Sequence, residues 1–352
     1  MKIAFSADWH FNDWKPFAKI IEFEGYNLNS RLVDTIITFR QFYKECKEEK
    51  VDLVINLGDI FHMRNLFNMF FFNLVYREFQ RQSQSGLPTW ILPGNHDIES
   101  KNSDPLEASV YSFDAINNMR VIAKPGMMEY KGIEFYFMPY TGDKKIRENH
   151  LRVFQGQAKK NTKKLNIFLY HGIVTGAALG GVKAKGGIPI RDLKPFDFTF
   201  CGDVHIHQAL GLGNIVYTGS PQQQNFGDEG QKRGYVLFDT KTKEWEFKPL
   251  KSPKFFKTDS LKKAVKLSKK GHFVSYNPKD TKKQLEARSL IQNENLNLEI
   301  GRVVSAESTE EFDVRGSLKP DKLVKVWVKD NHKGKKSLLT KAGLRYLKGK
   351  RQ

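Results

Sequence analysis

Residues 52–65 read DLVINLGDIFHMRN. A short, nearly continuous apolar run bounded by a charged residue and a glycine predicts a buried strand. The pair Gly58-Asp59 closes that run. Glycine lets the backbone turn sharply there, so the strand tip presents one carboxylate. His62 follows three residues later and is open at this point to three roles: metal ligand, catalyst or turn filler.

The same punctuation recurs along the chain. Asp8-x-His10 follows the strand-like run over 2–8, and Gly94-Asn95-His96-Asp97 ends the one over 89–97. His171-Gly172 ends the run over 165–172, and Gly202-Asp203-x-His205-x-His207 the run over 197–207. Helical apolar spacing over 30–50 and 65–82, and helices near 105–118 and over 143–161, separate these runs. Further strand-like runs lie at 133–140, 214–220, 234–239 and 244–250. Strands alternating with helices, then more strands, predict an α/β layered domain with a central sheet. Strand tips of such a sheet converge on one edge, where ligands bind. Imidazoles and carboxylates there can hold two divalent ions about 3.5–4 Å apart, bridged by one carboxylate. Singly, each piece is weak, because an isolated buried histidine is usually a satisfied core residue. Five pieces in order, each at a strand end, carry the reading.

With 352 residues, 39% of them apolar, the chain can build one large domain and a smaller one. No apolar run approaches the roughly 18 residues of a membrane span. The segment MKIAFSAD lacks a signal peptide's long apolar region and cleavage site. Cys46 and Cys201 cannot make a disulfide framework, so a reducing cytoplasm is the expectation. The net charge of +19 is unevenly placed: residues 254–352 carry an excess of 14 basic groups, and the first 253 residues an excess of 5. A basic face attracts polyanions through counterion release. A solvated lysine-rich surface is the open alternative.

The character changes after about 253. A basic helix, a strand, a second helix and a strand read as a small α/β unit ending near 306. The polar stretch 307–320 reads as a linker, and two short helical segments follow over 321–352. The glycine-rich stretch 176–187 lacks P-loop order and reads as a connector or a substrate-side loop.

Taken together, D-x-H, G-D, G-N-H-D, H-G and G-D-x-H-x-H resemble the calcineurin-like metallophosphoesterase superfamily over roughly residues 1–250. The segment GDIFHMRN, and TGSPQQQNFGDEGQKRGYVLFD at 218–239, resemble its SbcD and meiotic-recombination-eleven nuclease branch, with length fitting the phage recombination nucleases. Protein Ser/Thr phosphatases instead carry an arginine close behind their G-D. The resemblance implies an α/β fold, a layered core of β-sheets flanked by helices, over 1–253. It also implies a DNA-binding capping domain over 254–306 and an ATPase-binding helical pair over 321–352. It implies that Asp8, His10 and His207 hold one metal, that Asn95, His171 and His205 hold the other, and that Asp59 bridges them. Mixed imidazole and oxygen ligation suits manganese, iron or zinc, and the branch implies manganese. His96 and His62 then assist the chemistry without binding metal, with Asp97 accepting the other ring proton of His96. Asp203 reads as a turn or supporting residue.

The implied function is a DNA exonuclease and endonuclease component of double-strand-break repair. Its partners would be DNA and an SMC-like ATPase of the SbcC type. A homodimer within a two-plus-two complex is implied, with Leu66, Phe70, Leu106 and Val110 at its seam. For these residues core packing is the open alternative, and for the terminal helices packing on their own domain. For the activity, the alternatives are a phosphodiesterase or phosphatase on a non-DNA substrate and a non-catalytic DNA tether. If phage-encoded, the chain would work in the host cytoplasm.

Overall fold

A computed structural model describes residues 1–64, 68–99, 107–294 and 296–301. The strand Lys2–Ser6 sits inside a six-stranded sheet. It pairs in parallel with Leu53–Asn56, which pairs in parallel with Thr89–Ile91, and that strand with Met119–Val121. On its other side lie the antiparallel strands Gly234–Asp239 and Glu244–Pro249. Strands Leu165–His171 and Phe198–Gly202 pair in parallel at the middle of a second six-stranded sheet.

The two sheets lie face to face, the layered core of β-sheets flanked by helices that the resemblance implied. Alternation along the strands explains how one set of strands serves both layers. Ile3, Phe5, Leu53 and Ile55 point into a core shared with Phe135, Phe137, Ile167, Leu169 and Phe200. Ala4 and Val54 point the other way, against Ile36 and Phe39 of the helix Ser30–Glu48 and Val75 and Phe79 of the helix Met69–Ser83. Tyr136, Met138, Phe168 and Tyr170 likewise leave the shared core and share a cluster with Phe154 of the helix Lys144–Lys160. Each central strand is therefore buried on both faces, which is why its sequence is a continuous apolar run. Across the shared core Phe5 stacks on Phe200, with centroids 3.9 Å apart. Asn29, Asn68 and Asp143 cap the three helices by accepting from their first free N–H groups.

The helix expected near 105–118 is, among the described residues, one 3₁₀ segment, Tyr111–Ala115. Val110, Phe113 and Ile116 are spaced by three and all buried, which suits a helix of three residues per turn. Val110 is fully buried in this chain's own core, so it does not sit on an external seam. Phe70 is 48% exposed, while Leu66 and Leu106 lie outside the described residues. The glycine-rich stretch forms a small hairpin, Ala178–Leu179 with Val182–Lys183.

The small unit has three parallel strands, Phe255–Thr258, Phe273–Tyr276 and Leu298–Ile300, with helices Leu261–Lys269 and Thr281–Glu294. It docks through Phe255 and Phe273 against Phe17, with the Arg31 guanidinium 5.3 and 5.1 Å from the two ring centres. The linker at 307–320 and the helical pair at 321–352 lie outside the described residues. Among the described residues no helix is long and apolar enough to cross a membrane.

The Phe5–Phe200 stack is the central contact between the sheets. Phe5→Ala is expected to cost about 3–5 kcal/mol, read as a lower urea midpoint. A loss below about 1 kcal/mol would show that the sheets do not depend on this contact.

Candidate metal centre

The parallel strands of both sheets end at one edge, and their tips carry the polar groups. Asp8 and His10 follow Lys2–Ser6, Asp59 follows Leu53–Asn56, and Asn95, His96 and Asp97 follow Thr89–Ile91. From the second sheet come His171 at the end of Leu165–His171 and Asp203, His205 and His207 after Phe198–Gly202. Asp8, His10, Asp59 and Asp203 all have left-handed backbone, with φ of 57°, 46°, 57° and 84°. Such conformations cost of the order of 1–3 kcal/mol each outside glycine and gather at functional sites.

Asp59 faces two ways. Its Oδ2 is 3.5 Å from His10 Nε2 and its Oδ1 is 3.4 Å from His171 Nε2. On the Oδ2 side His10 gathers with Asp8 and His205, its Nε2 only 3.0 Å from His205 Nε2, while Asp8 gathers also with Asp59 and His171. Around Oδ1 stand His171, Asn95 and Asp203: His171 Nε2 is 3.0 Å from the Asn95 amide and 3.9 Å from Asp203 Oδ1. With its nitrogen facing inward, the Asn95 amide donates to His171 Nε2 and to Asp203 Oδ1, and its oxygen accepts from Arg64. Glycines make the close approach possible. A Cβ at Gly58, whose φ is +104°, would strike His171 Nδ1, and one at Gly94 would strike the Asp59 carboxylate.

Hydrogen bonds set the ring orientations. His171 Nδ1 is 2.5 Å from the Leu57 carbonyl, so it donates there and turns the Nε2 lone pair toward Asp59. His96 Nδ1 donates to the His62 carbonyl at 2.6 Å. The expectation that Asp97 holds the His96 ring is therefore corrected. The Asp97 carboxylate instead accepts from the N–H groups of Ile60, Phe61 and Gly94 at 3.3, 3.0 and 2.9 Å. It pins the loop after Asp59 to the loop carrying His96, because those buried N–H groups need an acceptor. His62 stacks on His96 with centroids 5.1 Å apart and lies 4.3 Å from the Trp14 ring.

His207, expected beside Asp8 and His10, is not brought together with them among the described residues. His207 Nδ1 donates to the Tyr217 carbonyl at 2.8 Å, and its ring stacks on Phe247 at 4.2 Å. Among the described residues three groups bring ligand atoms within 4.8 Å of one another, and His207 belongs to none. Two are Asp8–His10–His205 and Asp8–Asp59–His171; the third, His10–His62–His96, makes the metal count of His62 and His96 variants informative. Two further residues, not singled out by the sequence patterns, also stand here. The Gln224 amide donates to the Asp8 carbonyl, and the buried Arg233 pairs with Asp228 at 2.7 Å. Asp203 was legible in principle, because Gly202-Asp203 repeats the Gly58-Asp59 punctuation.

Electrostatically, burial outweighs the nearby Arg233 and Arg64 charges at the carboxylates. Burial, and then the Asp59 and Asp203 charges, push Asp8 well above the usual carboxylate value. Burial pushes Asp59 and Asp97 up to about 7. Burial takes His62 and His205 down to about 4 and, with the neighbouring imidazoles, His10 well below its ordinary value. Asp8 Oδ2 is buried without a hydrogen-bond partner. Neutral imidazoles, an orphaned carboxylate oxygen and a carboxylate shared between two groups fit a pair of divalent cations.

A family model described as calcineurin-like phosphoesterase matches residues 1–205. The exonuclease subunit 1 of Enterobacteria phage T4 is 25% identical over 251 residues, covering 71% of this chain and 68% of that protein. An SbcCD nuclease subunit from Staphylococcus epidermidis is 19% identical over 319 residues, covering 78% of each chain. The DNA double-strand break repair protein Mre11 of Sulfurisphaera tokodaii is 26% identical over 223 residues, 61% of this chain and 56% of that one.

In the cation-free protein Asp59 keeps a proton up to about pH 7, against an ordinary value of 3.8. The unfolded chain ionises first, so this group weakens the cation-free fold as pH rises from 3.8 toward about 7. A cation must displace the same proton, so its uptake strengthens as pH rises through that range. Manganese is expected to raise the melting temperature more at about pH 8 than at about pH 6, with proton release in calorimetry at the lower pH. Equal thermal shifts without proton release would mean that Asp59 is already ionised.

Proposed function

Because the chain belongs to the calcineurin-like phosphoesterase family, we propose that it is a manganese-dependent DNA exonuclease and endonuclease. It acts in double-strand-break repair and recombination beside an SMC-like ATPase of the SbcC type. The observation that carries the reading is the two-faced Asp59 carboxylate with a ligand group on either side. The polynucleotide substrate is supported by the relatives, whose names describe an exonuclease subunit, a nuclease subunit and a double-strand break repair protein. It is supported also by the small unit, whose helix Leu261–Lys269 exposes Lys262, Lys263, Lys266 and Lys269. Such a face suits phosphate contacts. In this reading the small unit caps DNA, the segment 321–352 binds the ATPase, and the chain works as a homodimer in the cytoplasm.

Two divalent cations, when bound, supply an acidified water as nucleophile and a grip on the scissile phosphate. Asp8, His10 and Asp59 would hold one, and Asp59, Asn95 and His171 the other. His96 has its Nδ1 committed to the His62 carbonyl, which leaves Nε2 to face the substrate. Its task is to protonate or hydrogen-bond the leaving 3′ oxygen. His62 is neutral at pH 7, since burial lowers it to about 4, so it is no cationic acid. It positions His96 through its carbonyl and its stacked ring. Asp97 acts one step further out, holding the two loops in register.

The test is nucleotide release from a duplex end with manganese, with and without the ATPase partner, beside hydrolysis of a small phosphodiester. His96→Ala is expected to lower DNA cleavage by about 10²–10⁴-fold while the bound metal, counted by elemental analysis, stays constant. Loss of metal in that variant would make His96 a ligand. Small-ester turnover with no DNA cutting, even with the partner, would replace DNA by a small substrate.

A further inference from the structure

We propose that Asp203 is a cation ligand, and that the ligand roster of the G-D-x-H-x-H segment is shifted by two residues from the expected one. His205 then serves the group of Asp8 and His10, Asp203 serves the group of Asn95 and His171, and His207 serves neither. The proposal rests on the two-cation reading above and goes beyond it by changing the donors.

Four observations carry it. His205 Nε2 lies 3.0 Å from His10 Nε2, a separation that two ligands of one ion can adopt, and His205 gathers with Asp8 and His10. Asp203 Oδ1 lies 3.9 Å from His171 Nε2 and 3.2 Å from the Asn95 amide, so three side chains from three strand tips converge beside Asp59 Oδ1. The Asp203 backbone is held at φ +84° and its N–H donates to Asp8 Oδ1 at 3.2 Å. That strained turn, braced on the neighbouring ligand group, aims the carboxylate inward. Finally, among the described residues His207 joins none of the groups whose ligand atoms gather within 4.8 Å, and its ring stacks on Phe247.

The chemical consequence is an unequal pair of sites. The first combines Asp8, Asp59, His10 and His205, two oxygens and two nitrogens. The second combines Asp59, Asn95, Asp203 and His171, three oxygens and one nitrogen, with the Asn95 amide turned so that its oxygen faces inward in place of the nitrogen that donates to His171 and Asp203 without a cation. Oxygen-rich sets favour manganese and magnesium, and each added imidazole moves preference toward zinc. The second site is therefore the one expected to discriminate against zinc.

The full-length chain is titrated with manganese by calorimetry, with the spin-coupled manganese pair followed by electron paramagnetic resonance. Wild type is expected to bind two ions. Asp203→Ala is expected to lose the coupled signal and to weaken one of the two sites by more than about 100-fold, beyond what removing a mere supporting partner costs. Asp203→Asn, which tolerates the same backbone, is expected to weaken that site by less. Asp203→His is expected to restore two ions with a higher zinc-to-manganese ratio in competition, and His207→Ala to keep both ions. Undiminished pairing in both Asp203→Ala and Asp203→Asn, or loss of one ion in His207→Ala, overturns the assignment. A wild-type chain that never takes up two ions overturns this assignment together with the two-cation reading. Two ions bound by wild type and one site weakened in Asp203→Ala as described, in a protein that cuts no DNA, uphold the assignment and remove only the DNA substrate.

Discussion

One buried carboxylate organises the molecule. Asp59 must meet imidazoles from two sheets at once, and it can do so only at the tip of an inner strand whose neighbours end at the same level. The parallel pairing of Lys2–Ser6 with Leu53–Asn56 sets Asp8 beside it. The close packing of Gly58, Gly94 and Gly202 around the His171 ring lets the second sheet approach. Asp97 ties the adjoining loops by accepting three backbone N–H groups. Left without a cation, the arrangement is costly, because burial disfavours ionised carboxylates and protonated imidazoles alike. The strained backbone at Asp8, His10, Asp59 and Asp203 adds to that cost.

Much of this was legible because strand tips are punctuated locally. An apolar run, a glycine and a polar side chain are neighbours in sequence, so their joint reading needs no tertiary information. The order of strands and helices over most of the large domain and the outline of the small unit followed from the same periodicities. The division into two facing sheets did not follow from periodicity; it came from the family resemblance, which implied a layered core of β-sheets. A strand buried on both faces reads identically in one sheet or in two, and only the partner across the core, as Phe200 is for Phe5, distinguishes them.

The details that escaped the sequence depend on distant contacts. Asp203, His205 and His207 alternate, so spacing by two cannot say which of them faces the cation edge. In the structure His205 lies beside His10, while His207 lies against Tyr217 and Phe247. The acceptor for His96 is similar: a carboxylate next door in sequence was the obvious candidate, yet a backbone carbonyl from another loop lies closer. Val110 and Phe113 carried an apolar signal suited to a longer helix, and their spacing of three produced a single 3₁₀ segment facing inward.

Ligand groups drawn from both sheets have a mechanical consequence. The first sheet contributes Asp8, His10, Asp59 and Asn95, the second His171 and His205. A bound ion would therefore rivet the two halves of the sandwich at their common rim, a long-range cross-link that no single loop provides. Ions that bind the folded rim and not the loose chain add stability in proportion to the logarithm of their concentration. Ion supply would then set how tightly the two halves are clasped, as well as whether the site is armed.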